Sequence, residues 1–191
     1  MKMIILAAST ALAAAPAAAA DGVLYANVGN WQVTANHAEG NGAASCTAST
    51  YYPGVDTGMG IIITVDQQAF FMLRSPAIAK NLINDKAYTF TVYINDKYYS
   101  DIQGIVSGTD GSGIVSSVNI NGLNTLMSAR SIGIETGLFV IGKFNLQYSQ
   151  AAITKAQECV AVFQHGGNLF DEQQEQLPAL QGADPIVSRS F

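Results

Sequence analysis

Two cysteines and two histidines are the whole supply of sulfur and imidazole ligands in these 191 residues. Zinc wants about four nitrogen or sulfur ligands, and these four side chains are all the chain has, so no metal centre is expected. A hydrolase needs Ser or Cys with a base in reach. His37 lies in an early loop and His165 at the edge of a polar tail, and no G-x-S-x-G elbow occurs. Asp96 and Asp101 flank the start of a Tyr98-Tyr99 strand, a spacing open to paired acid–base work. Asp96 falls in an Asn95-Asp96-Lys97 turn signature, however, where Asp serves its own backbone hydrogen bonds. The glycine run Gly108 to Gly113 lacks the Lys-Ser/Thr of a phosphate loop, and no helix follows it at once. Its one acidic residue, Asp110, is too few for a calcium loop. It reads as a hairpin turn. No catalytic, cofactor or metal residue is assigned, and no enzymatic activity is expected.

Tyrosine is the remaining chemistry. Tyr51-Tyr52, Tyr93 and Tyr98-Tyr99 fall on strands or strand ends. Alternation along a strand sends one member of each doublet outward. An outward tyrosine brings apolar area and one polar tip, a combination enriched at binding surfaces. Tyr88, Phe90, Val92 and Ile94 form the inward set of the clearest strand, which puts Tyr93 out of phase and facing solvent. The turn at Asn95 then brings Tyr98 or Tyr99 beside it. Tyr93, Tyr98 and Tyr99 are therefore the candidate interaction surface.

The cysteines bear on architecture and compartment. Lys2, an apolar run from Ile4 to Ala14 and the small-residue site Ala18-Ala19-Ala20 have the layout of a signal peptide. The apolar run is shorter than the roughly 20 residues a membrane span needs. Cleavage is expected between Ala20 and Asp21, leaving a periplasmic or secreted chain with no stable membrane insertion. Two cysteines in an exported chain point to one bridge, Cys46–Cys159, with a pair of free buried thiols as the alternative. With Lys2 removed from nine Lys and Arg, eight basic side chains face fourteen acidic ones. No basic stripe occurs, so nucleic acid and anionic membranes are poor partners.

The elements that must position these residues are mostly strands. Val23 to Tyr25 opens the folded part. Trp31 and Val33 alternate on a half-buried strand, and Cys46, Ala48 and Thr50 share one face of the next, which ends at Pro53-Gly54. Ile61 to Val65 and Ala69 to Leu73 form a hairpin around Asp66-Gln67-Gln68. Ser75-Pro76 opens either one helical turn to Ile83, with Pro at its first position, or an irregular connection. Tyr88–Ile94, Tyr98-Tyr99, Ile102–Val106 and Ile114–Ile120 continue the strands, and a short helix covers Leu123 to Arg130. Ile132 to Ile134 and a strand beginning at Leu138 make the last hairpin. Ser149 stands at the N-cap position of a final helix. Ala152, Ala156, Cys159 and Phe163 recur at spacings of three and four, so they share one face of it. Residues 164–191 are polar, with scattered apolar side chains, and read as a flexible acidic tail.

The expected architecture is a signal peptide over 1–20 and one domain over 21–163, mainly β with α+β character. It is an antiparallel β-hairpin sandwich or open barrel with a C-terminal helix packed on it. The layout resembles small exported proteins of Gram-negative bacteria related to the invasion-associated locus B family. The residues that carry the likeness are the Trp31-Gln32-Val33 strand, Cys46 soon after it, and the ending from Phe144 through Ser149 to Glu158-Cys159. It covers Asn30 to Val160. The resemblance implies an envelope protein and supplies no catalytic residue. The expected function is a non-enzymatic periplasmic or secreted binding protein that acts on an envelope protein. The alternative is a periplasmic inhibitor of a hydrolase such as lysozyme or a protease.

Overall fold

The computed structural model describes residues 22–36, 44–108 and 111–170. Ten strands form one antiparallel sheet: β1 (Gly22–Val28), β2 (Trp31–Asn36), β3 (Ser45–Tyr52), β4 (Thr57–Thr64), β5 (Ala69–Arg74), β6 (Ala87–Ile94), β7 (Lys97–Ser107), β8 (Gly113–Val118), β9 (Ser131–Thr136) and β10 (Val140–Asn145). Three helices join them: α1 (Pro76–Asn81), α2 (Ile120–Ser128) and α3 (Ser149–Gln164). The strand order is β1-β2-β3-β4-β5-β8-β7-β6-β9-β10. The sheet is open, and β1 and β10 are its edges.

Two connections break the simple meander. The chain leaves β5 through α1, crosses to β6, returns through β7 and pairs β8 with β5. It then crosses back through α2 to lay β9 beside β6. The helical turn expected after Ser75-Pro76 forms as α1, with Pro76 as its first residue and Ser75 as its cap, accepting from the Ala77 N–H at 3.4 Å.

Inward residues follow the period of two. Trp31, Val33 and Ala35 on β2, Cys46, Ala48 and Thr50 on β3, and Thr57, Met59, Ile61 and Ile63 on β4 are all buried. Helix α3 lies against this end of the sheet with Ala152, Ile153, Ala156, Cys159 and Val160 buried. Small side chains on both surfaces let helix and sheet approach closely. Cys46 and Cys159 are bonded, with Cα atoms 6.1 Å apart, a separation within the range a disulfide requires.

The two ends of the sheet curl toward each other. Trp31 Nε1 donates to the Gln147 carbonyl at 2.9 Å, and the Tyr52 hydroxyl donates to the Asn145 carbonyl at 2.5 Å. The Tyr52 and Phe144 rings are 5.1 Å apart. Gly29, at φ 61°, turns β1 into β2, and the Tyr148 ring occupies the space a side chain there would need.

Several boundaries differ from those read in the sequence. Tyr98-Tyr99 and Ile102–Val106 belong to one strand, β7, because a bulge lets the chain continue. Strand β8 stops at Val118 and α2 begins at Ile120, since Asn119 caps it by accepting from the Gly122 N–H at 2.8 Å. Leu138 is not in a strand. It lies in the turn before β10 and is 76% exposed. A register shift between Val140 and Gly142 puts Phe144 and Leu146 inward, while Leu138 and Val140 remain outside. Ser149 is not the N-cap of α3. Tyr148, at φ 69°, takes that place without a side-chain cap, and Ser149 is buried with its hydroxyl donating to the Leu126 carbonyl at 3.0 Å. The serine therefore fastens α3 to α2.

Helix α3 includes Gln164, whose amide donates to the Val65 carbonyl at 2.7 Å. Beyond it Leu169 and Phe170 pack on the core, and the Phe170 ring stacks on Phe163 at 5.8 Å. Residues 171–191 of the expected tail, the expected signal peptide and His37 lie outside the described residues.

Candidate functional site

Strands β6 and β7 meet at a two-residue turn, Asn95-Asp96, with φ of 51° and 66°. Positive φ at both residues matches the twist of the paired strands, which favours a tight hairpin. Asn95 also accepts from the Arg130 and Ser131 N–H groups, at 2.8 and 3.2 Å, tying the turn to the start of β9. One residue beyond the turn the register shifts: Tyr93 pairs with Tyr98, but Val92 pairs with Ser100. Tyr99 is the extra residue of a bulge, and the three tyrosines are thereby divided.

Tyr93 and Tyr98 share the outer face. Their rings meet edge to face, with centroids 6.4 Å apart. Tyr98 is 62% exposed. Its hydroxyl has no hydrogen-bond partner among the described residues. Tyr93 faces outward as its phase requires, but it is half-buried rather than open to solvent, and its hydroxyl donates to Glu135 Oε1 at 2.6 Å. That bond, followed by burial and the Glu135 charge, holds the Tyr93 phenol above its usual pKa. It fixes the lower ring as a platform for the upper one. Across four strands the row reads Tyr98, Tyr93, Gly133, Lys143.

Polar pairs surround the rings. Thr91 donates to Asp101 Oδ1 at 2.8 Å, and Gln103 Nε2 donates to Thr89 at 2.7 Å. Lys143 pairs with Asp96 at 2.6 Å, both well exposed. Asp96 and Asp101 thus serve separate partners, Lys143 on β10 and Thr91 on β6, and do not form an acid–base pair. His165 ends α3, its ring Nδ1 2.6 Å from the Ala161 carbonyl.

Tyr99 departs from the expected surface. It lies at the mouth of a cavity of ≈ 140 Å³ between the inner face of β6–β9 and α2. The bulge is the cause, since one extra residue re-aims the side chain. The doublet in the sequence says that one tyrosine faces out; only the register says which. The cavity itself left no sequence signal, because its apolar lining reads as ordinary core.

Among the described residues no group of three or more His, Cys, Asp or Glu could hold a metal ion, and no helix is long and apolar enough to cross a membrane. No protein-family model matches the sequence. No curated protein matches it either. Among solved structures, the invasion associated protein B from Bartonella henselae is similar over 76% of this chain and 100% of its own, with a TM-score of 0.51 and 13% identity. At that identity the likeness is one of fold: the open antiparallel sheet with its C-terminal helix is the architecture this chain shares with the Bartonella protein.

Proposed function

We propose that the protein is an exported, non-enzymatic binding protein of the bacterial envelope, and that it holds a protein partner on the outer face of the β6–β7 hairpin. The observation that carries this reading is the Tyr93–Tyr98 pair: a ring anchored by Glu135 supports a second ring that is 62% exposed and whose hydroxyl has no partner among the described residues. Rigid tyrosines lose little conformational freedom on binding and contribute strongly when desolvated. Asp101 and Glu135 flank the pair. A complementary partner therefore presents Arg or Lys, which can stack on Tyr98 and meet these carboxylates. The fold shared with the Bartonella protein supports an envelope setting. The bridge between Cys46 and Cys159 fits an oxidising compartment, as do Lys2, the apolar run and Ala18-Ala19-Ala20.

Crosslinking in native envelopes, followed by affinity capture, tests the reading. Wild-type protein should retain a partner that Tyr93→Ser/Tyr98→Ser, still folded, does not. Capture should weaken with added salt. Retention of the same partner by the double variant would place binding elsewhere. Sequencing of the cell-associated protein should find Asp21 first; an intact Met1 would refute export by cleavage.

A further inference from the structure

The cavity under α2 has the composition of a ligand site rather than of a packing gap. Phe71, Val92, Leu126 and Ile132 are buried around it, whereas Ile94 and Ile102 are apolar yet only half-buried. Its polar lining includes Tyr99, Ser100, Ser116, Asn119 and Thr125. Tyr99, 41% exposed, presents its hydroxyl 3.4 Å from Thr125 Oγ1. The single hydrogen of Thr125 is committed to the Asn121 carbonyl at 2.8 Å. The Tyr99 O–H is thus left with a long, weak contact that an incoming acceptor can replace. The bulge that separates Tyr99 from Tyr98 is what turns this hydroxyl toward the cavity mouth. Ser116 is not available as a second donor, since its hydroxyl is bonded to the Gln103 carbonyl at 2.7 Å.

We infer that this cavity binds a small neutral molecule with an apolar body and one hydrogen-bond acceptor, which Tyr99 receives at the mouth. Size sets the body. A dry cavity of about 150 Å³ accommodates benzene, so about six carbon atoms fit here. Charge sets the head. No Lys, Arg, Asp or Glu lines the cavity, and an ionised group would lose its hydration without a counter-ion. The inference is independent of the outer tyrosine pair and stands or falls apart from it.

The test is a titration of the disulfide-bonded protein, labelled at Ile, Leu and Val methyls, with benzene, 1-hexanol and hexanoate at neutral pH. Benzene and 1-hexanol should shift the methyls of Val92, Ile102, Leu126 and Ile132 saturably, with Kd of about 1 mM or tighter. Hexanoate should not. Tyr99→Phe should weaken 1-hexanol by about 3- to 10-fold, the worth of one hydrogen bond, and leave benzene unchanged. Ile102→Phe, whose added ring has the cavity to enter, should abolish both; if it does not fold, the head-group comparison and Tyr99→Phe decide. Absence of saturable shifts with benzene and 1-hexanol, hexanoate binding as tight as 1-hexanol, or equal weakening of benzene by Tyr99→Phe would each overturn the inference.

Discussion

Strands β2 to β4 and strands β6 to β8 are both covered on the inner face by a helix, yet the two ends of the sheet are finished differently. The first carries α3, sixteen residues long, and the second carries α2, nine residues long. Under α3 the facing side chains include Ala35, Ala48, Ala152 and Ala156, all buried, and a disulfide closes the contact. Under α2 the facing side chains are larger, among them Phe71, Ile94, Ile102 and Ile132, and a cavity of ≈ 140 Å³ lies among them. The outer surfaces differ in the same sense. On β3, Tyr51 is 49% exposed but donates to Asp56 Oδ1 at 2.6 Å, a local partner five residues on. On β7, Tyr98 has a ring beside it and no hydroxyl partner among the described residues. The difference lies in one exposed hydroxyl: Tyr51 has a local protein partner, whereas Tyr98 has none among the described residues. The contrast sets the part that secures the fold apart from the part to which binding is proposed.

The sharpest break in the comparison is covalent. Cys159→Ala should lower stability by about 2–5 kcal/mol, since the bridge spans 113 residues of sequence and restricts the unfolded chain. Denaturant midpoints of the two proteins measure the difference, and an unchanged midpoint would remove the bridge from the account. Alkylation of the unfolded protein should label both thiols only after reduction.

Tyr52 tests the seam where the sheet ends meet. Tyr52→Phe should cost about 1 kcal/mol, one hydrogen bond to the Asn145 carbonyl. Burial pushes the Tyr52 phenol up to about 12. A folded pKa above the unfolded value of about 10 means that the fold favours the neutral phenol. Its stabilisation is therefore complete below pH 10 and is lost as pH rises from about 10 to about 12. Denaturant midpoints across that window should fall less steeply for Tyr52→Phe than for wild type. Parallel curves would show that Tyr52 ionises without cost.

Smallest of all should be the effect of the exposed rings. Tyr51→Ser and Tyr98→Ser should each change stability by about 0.5 kcal/mol or less, the usual range for surface positions. A loss of several kcal/mol at Tyr98, read from the same midpoints, would make it part of the scaffold.

Much of this division was legible in the sequence. Period-two alternation in Trp31-Gln32-Val33 and in Tyr88 to Ile94 identified the inward faces: Trp31, Val33, Phe90 and Val92 are buried, and Tyr88 and Ile94, at the ends of their strand, are half-buried. Spacings of three and four from Ala152 to Cys159 identified the buried stripe of α3. The pairing of Cys46 with Cys159 followed from cysteine count and compartment. Legibility failed where one residue changed the phase. The bulge at Tyr99 and the shift before Gly142 each depend on which residue the partner strand presents, information that no local pattern contains. Ser149 failed for a related reason: its type fits a cap, but the Leu126 carbonyl on another helix competes for its hydroxyl and wins. The α1 and α2 crossovers, which order the strands, are likewise contacts between distant segments.

The central claim is that binding resides on the β6–β7 face and not on exposed tyrosines in general. Two variants that each remove one exposed tyrosine ring decide it. Tyr51→Ser and Tyr98→Ser should be immobilised side by side, with melting temperatures checked first, and each challenged with native envelope extract. The account predicts that Tyr51→Ser captures the wild-type partner at unchanged affinity while Tyr98→Ser loses it. Equal capture by both variants, or loss confined to Tyr51→Ser, would contradict it.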